Sequence, residues 1–105
     1  MSKKEHLIKS LKKFLEKLGK DINIEKVILF GSRARGDFNS QSDIDLIIVS
    51  DGFENMSFFE RVKKVSYYWE IDYPVDFICY SPKEFNKLKN QISVVREAIK
   101  EGIEI

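Results

Sequence analysis

Val27-Ile-Leu-Phe-Gly-Ser-Arg-Ala-Arg-Gly36, followed after a short polar stretch by Ser42-Asp-Ile-Asp-Leu-Ile-Ile-Val49, is the part of this 105-residue chain that decides its fold. It reads as a buried strand, a Gly-Ser turn opening a short helix, a polar loop, and a second buried strand that begins with two carboxylates. A Gly-Ser turn at a helix start suits phosphate, because unpaired backbone N–H groups and the positive end of the helix dipole both face an anion there. Asp43 and Asp45 are two residues apart on the second strand, so the period-two alternation puts both on one face. Two such acids repel, and a divalent cation between them removes the conflict.

Working outward, Ile24 to Phe30 forms the first strand, ended by Gly31. Ser32 to Gly36 is expected as a short helix closed at Gly36, and Asp37 to Ser42 as a turn-rich loop. Asp43 to Val49 is the second strand, and its Leu46-Ile-Ile-Val49 run is apolar on both faces, as a strand covered on both sides requires. Upstream, Leu7, Ile8, Leu11, Phe14, Leu15 and Leu18 recur at intervals of three and four, which marks an amphipathic helix capped by Ser2 and stopped by Gly19. Downstream of Ser57, Phe58, Phe59, Val62, Val65, Tyr68 and Trp69 repeat at helical spacing. That helix is expected to end at Tyr73, since the residue before Pro74 is pushed out of the α region. Tyr67, Tyr68 and Trp69 could stack on a nucleobase, but their spacing reads as core.

Val75 to Tyr80 is the third strand, with Val75, Phe77 and Cys79 on one face and Asp76, Ile78 and Tyr80 on the other. Ser81-Pro-Lys-Glu84 carries a cap, a proline at the first helical position and a glutamate at the third, so a helix runs from Pro82 towards Leu88. Val94 to Lys100 reads as a last helix, with Gly102 beyond its end and Ile103 to Ile105 as an edge strand. The order is α-β-α-β-α-β-α-α with a closing strand, an α/β (α+β) chain expected to be one domain over residues 1–105.

Composition excludes more than it identifies. A chain of this length builds one modest core and has no room for a catalytic domain plus a separate substrate domain. With 18 basic and 17 acidic residues the net charge is +1, so bulk electrostatics points to neither nucleic acid nor membrane. No apolar run approaches the ~20 residues of a membrane helix, and the opening Met-Ser-Lys-Lys-Glu lacks an apolar signal region, so a cytoplasmic location is expected. Cys79 is the single cysteine and reads as a small core residue. His6 is the single histidine and reads as a surface residue with no second histidine to share a metal. Seven lysines at positions 3, 4, 9, 12, 13, 17 and 20, partly offset by Glu5 and Glu16, read as a solvated helix face rather than a polyanion patch. That basic face and the exposed members of the Phe58 to Tyr73 stretch are the candidates for a partner-facing surface.

Asp76 is an acid in an otherwise apolar strand, costly unless solvated or paired. If its strand neighbours that of Asp43 and Asp45, the three carboxylates converge. Such a cluster suits Mg²⁺, a hard cation that takes a few carboxylates and completes its shell with phosphate oxygens and water. Two ions about 3.5–4 Å apart can stabilise both the attacking and the leaving oxygens of a phosphoryl displacement.

Gly31-Ser-Arg-Ala-Arg-Gly36, then Ser42-Asp-Ile-Asp-Leu46, then a third aspartate on a later strand, resembles the minimal nucleotidyltransferases of the DNA polymerase β superfamily. Within it, the match is to the antitoxins paired with HEPN-domain toxins. The resemblance implies a small mixed sheet flanked by helices. It implies that Asp43 and Asp45 bind two Mg²⁺ ions and that Asp76 completes one metal site and helps deprotonate the acceptor hydroxyl. Asp72 is the competitor for that third place, set back by lying at a helix end before Pro74. Gly31 and Ser32 would contact the β- and γ-phosphates of the nucleotide. Arg33 and Arg35 are further candidates for the nucleotide site, with bracing of the loop or pairing with Asp37 as the alternative. The implied reaction moves AMP from ATP to a tyrosine of a partner HEPN ribonuclease toxin, making the chain an antitoxin in a hetero-oligomer, with no membrane and no direct nucleic-acid contact. Neutralisation by binding alone, and transfer to a small-molecule alcohol, are the competing readings.

Overall fold

The computed structural model describes residues 2–35 and 43–105, and the side chains of all of these but Ser32 and Arg35. Gly36 as a helix stop and the loop expected over residues 37–42 lie outside the described residues. The elements are α1 (Lys3–Leu18), β1 (Ile24–Phe30), α2 (Ser32–Arg35), β2 (Ile44–Ser50), α3 (Phe58–Ser66), β3 (Val75–Tyr80), α4 (Pro82–Leu88), α5 (Val94–Glu101) and β4 (Ile103–Glu104), with one 3₁₀ turn at Asp51–Phe53. The sheet is mixed and four-stranded, in the order β3-β2-β1-β4. β2 runs parallel to β3 and antiparallel to β1, which pairs antiparallel with β4.

Each face of the sheet has its own cover. Val27, Leu29, Ile44, Leu46, Ile48 and Cys79 belong to a core completed by Leu7, Leu11, Phe14 and Leu18 of α1 and by Val65 of α3. Ile28, Ile47 and Val49 pack on the other face with Phe85 of α4 and Val95 and Ala98 of α5. β2 is therefore apolar on both sides because both are covered, and Leu46, Ile47 and Ile48 are fully buried. Each such side chain contributes about 1.5–3 kcal/mol relative to exposure. Among the described residues, no helix is long and apolar enough to cross a membrane.

Local signals set the helix ends. The Ser2 hydroxyl accepts the Glu5 N–H, and Ser57 with Glu60 and Ser81 with Glu84 form reciprocal capping boxes. The α3 expectation needs correction, because the helix ends at Ser66 and not at Tyr73. The Tyr67 N–H still reaches the Lys63 carbonyl, but Tyr68 and Trp69 donate to Val65 and Ser66, three residues back, so the last turn tightens and the chain peels away. This brings Trp69 edge-on to Phe14 at 5.0 Å and to Phe77 at 5.4 Å between ring centroids. The Trp69 indole N–H donates to the Tyr73 carbonyl. Trp69 and Tyr68 thus pack on the core, whereas Tyr67 is exposed. His6 is exposed as expected, and Cys79 is buried. Burial, only partly opposed by the nearby Arg61 guanidinium, pushes the Cys79 thiol up to about 12, so it carries no thiolate at neutral pH.

Candidate active site

Phe30 of β1, Asp45 of β2 and Asp76 of β3 stand side by side in one row across three strands. The parallel pairing sets Asp45 directly opposite Asp76. Neighbouring strands are separated by about 4.8 Å, so the two carboxylates rise from adjacent positions on one face. The face is the one shared with Ile28, Ile47 and Ile78, which form the next row down. Asp43 immediately precedes β2 and falls on the same side by alternation. The Ile44 N–H between the two acids donates to the Pro74 carbonyl at 2.9 Å, fixing the start of β2 against the start of β3. Asp43 and Asp76 are exposed and Asp45 is half-buried. Asp72 sits on the bend before β3, outside the paired strands.

Gly31 follows Phe30 with φ +76°, and a β-carbon at this position would collide with Oδ2 of Asp45. The backbone of the turn therefore lies directly against the carboxylate, an approach open only to glycine. Gly31→Ala is expected to lower stability by about 1–2 kcal/mol from left-handed strain. It is also expected to reduce turnover about a hundredfold by moving Asp45 off its position. Thermal unfolding and a nucleotide-transfer assay on the same preparation check both.

The carboxylate oxygens form a hard donor set of the kind Mg²⁺ takes. Asp45 and Asp76 on adjacent strands and Asp43 just before β2 present them, and the glycine turn packs its backbone against the Asp45 carboxylate. The residues fit such an ion. Among the described residues no three His, Cys, Asp or Glu side chains are gathered closely enough to hold one between them, so the face offers an open row rather than a closed cage.

The arginines of the turn divide. Arg33 is buried, turned towards α1, and its guanidinium stacks 4.6 Å from the centre of the Tyr73 ring. The Lys4 ammonium donates to the Ala34 carbonyl at 2.9 Å, tying α1 to α2. The side chains of Ser32 and Arg35 lie outside the described residues. One buried arginine escaped the sequence reading altogether. Arg61 of α3 donates to the Met56 and Cys79 carbonyls and to both oxygens of Glu84. Its position among Val62 and Val65 on an amphipathic helix gave no sign of burial, and only the capping role of Glu84 was visible in the sequence.

Known proteins similar to the chain place it in one family. Residues 8–103 match the family described as Nucleotidyltransferase domain. Two Methanocaldococcus jannaschii proteins, each named "Putative protein adenylyltransferase", are similar to the chain. One is 30% identical over 94% of this chain and 95% of its own length, the other 49% identical over 41% and 45%. A crystal structure titled as a "putative nucleotidyltransferase" from Sulfolobus solfataricus superposes with a TM-score of 0.69 at 29% identity, covering 96% of this chain and 80% of that one. The chain belongs to the nucleotidyltransferase domain family, and the fold and the family together make it a nucleotidyltransferase enzyme.

Proposed function

We propose that the chain transfers AMP from ATP, with Mg²⁺, to a tyrosine hydroxyl of a partner HEPN ribonuclease toxin, and so acts as its antitoxin. The observation that carries the reading is the row of Asp45 and Asp76 in parallel register, with the Gly31 backbone against Asp45. The names of the Methanocaldococcus relatives support a protein as acceptor. Asp43, Asp45 and Asp76 would hold the metal. Asp43 and Asp76 are exposed, so their oxygens are open to an incoming ion. When bound, Mg²⁺ neutralises phosphate charge and aligns the triphosphate.

The residues of the chain supply position. The Gly31 turn would offer backbone N–H groups to the triphosphate at the start of α2, and its lack of a side chain leaves the Asp45 carboxylate in place beside it. Asp45, paired on both sides within the sheet, is the fixed member of the row. Asp76, at the exposed end of the row, takes the proton as the acceptor oxygen attacks the α-phosphorus. A new P–O bond forms, the bond to the bridging oxygen breaks, and pyrophosphate leaves with that electron pair. Holding the reactants in line provides most of the acceleration in such displacements.

The test incubates the protein with labelled ATP, Mg²⁺ and the product of the adjacent gene. Label is expected on a tyrosine of that product. No transfer, or equal transfer by an Asp43→Asn/Asp45→Asn variant, overturns the reading. Full suppression of toxicity by that variant in cells would instead favour neutralisation by binding.

A further inference from the structure

The first twenty residues carry seven lysines against two glutamates, a surplus of five, while the rest of the chain carries eleven basic and fifteen acidic groups, a deficit of four. A net charge of +1 thus conceals a strongly polarised molecule. α1 and the turn after it direct their charge outward: Lys9, Lys12 and Lys13 of the helix and Lys20 of the turn are exposed and have no hydrogen-bond or ion-pair partner among the described residues. Lys17 alone of this face is bridged, to Glu70 at 2.9 Å.

Two cavities adjoin along this helix. One, of 510 Å³, lies between Lys13 and Lys17 of α1, with Lys20 just beyond its end, and Tyr68 and Ile71 on the segment that follows α3. The other, of 320 Å³, lies between Lys3 and His6 on α1 and Arg33 and Tyr73 opposite. Ser10 and Ile71 line both, so the two form one groove with a lysine-rich bank and a largely aromatic and apolar one. The groove ends at Arg33, two residues past Gly31, and at Tyr73. Tyr73 precedes the proline whose carbonyl anchors the start of β2. It therefore lies at the same end of the sheet as the carboxylate row, but on the opposite face, the one that α1 covers.

We propose that this groove is the docking surface for an acidic segment of the acceptor protein, holding it at the end of the sheet that carries the carboxylate row while another part of the acceptor reaches the row; the inference rests on the reading of the chain as one that modifies protein. Lysines spaced along one bank match carboxylates on the incoming segment, and Leu7, Phe14 and Ile71 give its apolar side chains a place between them. A polynucleotide fits less well, because it carries a charge at every step, whereas the lysines here are interrupted by Glu16, Glu70 and apolar side chains that a peptide of spaced carboxylates and apolar residues can match. The attraction also steers encounter, which complements a site whose own row is acidic.

The test uses the Asp45→Asn variant, so that binding is read without transfer. Three labelled probes are compared by fluorescence anisotropy: a synthetic peptide of repeating Glu-Glu-Leu carrying one tyrosine, its Lys-Lys-Leu counterpart, and a single-stranded oligouridylate. The acidic peptide is expected to bind best, and to weaken as salt rises from about 0.05 to about 0.5 M. Adding Lys13→Glu/Lys20→Glu, two exposed changes, is expected to weaken it at least about tenfold. Equal binding of the basic peptide, an unchanged affinity after charge reversal, or tighter binding of the oligouridylate overturns the proposal. With Asp45 restored and ATP and Mg²⁺ added, docking without transfer to peptide or partner would count against the adenylyltransferase reading and leave the groove assignment standing.

Discussion

Asp45→Asn and Asp76→Asn are each expected to reduce nucleotide transfer on the order of a thousandfold while leaving the protein folded. The two carboxylates face each other across a parallel strand pair, and removing either takes away half of that juxtaposition. Their costs to the fold should differ in sign from the cost of an ordinary core change. Asp76 is exposed and opposes a like charge, so its neutralisation relieves repulsion worth about 0.2–1 kcal/mol. Asp76→Asn should therefore unfold at the same temperature as the native chain or slightly above it. Circular dichroism melts beside single-turnover transfer with labelled ATP check the pair of effects. An Asp76→Asn protein that transfers at the native rate would remove Asp76 from the site.

Arg61→Leu is expected to have the opposite profile, a loss of about 3 kcal/mol and a fall in Tm of roughly 10–20 °C, seen equally with and without nucleotide. Arg61 is 5% exposed and binds the Met56 carbonyl at 3.0 Å, the Cys79 carbonyl at 3.1 Å and the Glu84 carboxylate at 2.6 and 3.3 Å. It thereby joins the chain before α3, strand β3 and helix α4. Leucine fills part of the volume but leaves two carbonyls and a carboxylate without their donor, which is why losing one partner costs more than the pair contributes. Partial burial favours the neutral form of Glu84, but the Arg61 guanidinium and the Ser81 N–H outweigh it and hold the carboxyl below its ordinary range. A carboxyl lowered in the folded state contributes stability above its unfolded pKa and loses it as pH falls through the folded one. The native protein should therefore lose more stability between neutral pH and pH about 3 than Arg61→Leu does, a difference readable from urea midpoints at the two pH values.

Most of this architecture was legible because period and punctuation agreed. β1, β3 and α4 begin and end where their β-branched runs, Gly31 and the Ser81 capping box place them. Alternation alone put Asp76 on the side of Ile78 and Tyr80, and the parallel register then brought it beside Asp45. The sequence could not supply the adjacency of β2 and β3, which depends on how the crossover through α3 packs. The length of α3 misled because Tyr68 and Trp69 continue its apolar spacing while contributing to the core from a turn. Arg33 and Arg61 were opaque for a related reason. A guanidinium becomes a buried residue only when tertiary partners arrive, here the Tyr73 ring for one and carbonyls of two separate segments for the other.

β3 is the outermost strand on its side of the sheet. Strands in that position are templates on which a second molecule can add its own, and proteins blunt them with charge and with side chains that occupy their backbone groups. Here Asp76 places a negative charge on the strand, and Arg61 occupies the Cys79 carbonyl. Asp76→Asn, beyond its expected effect on transfer, is thus also expected to expose a less protected edge, so that it melts as high as the native chain or higher and yet is the less soluble protein.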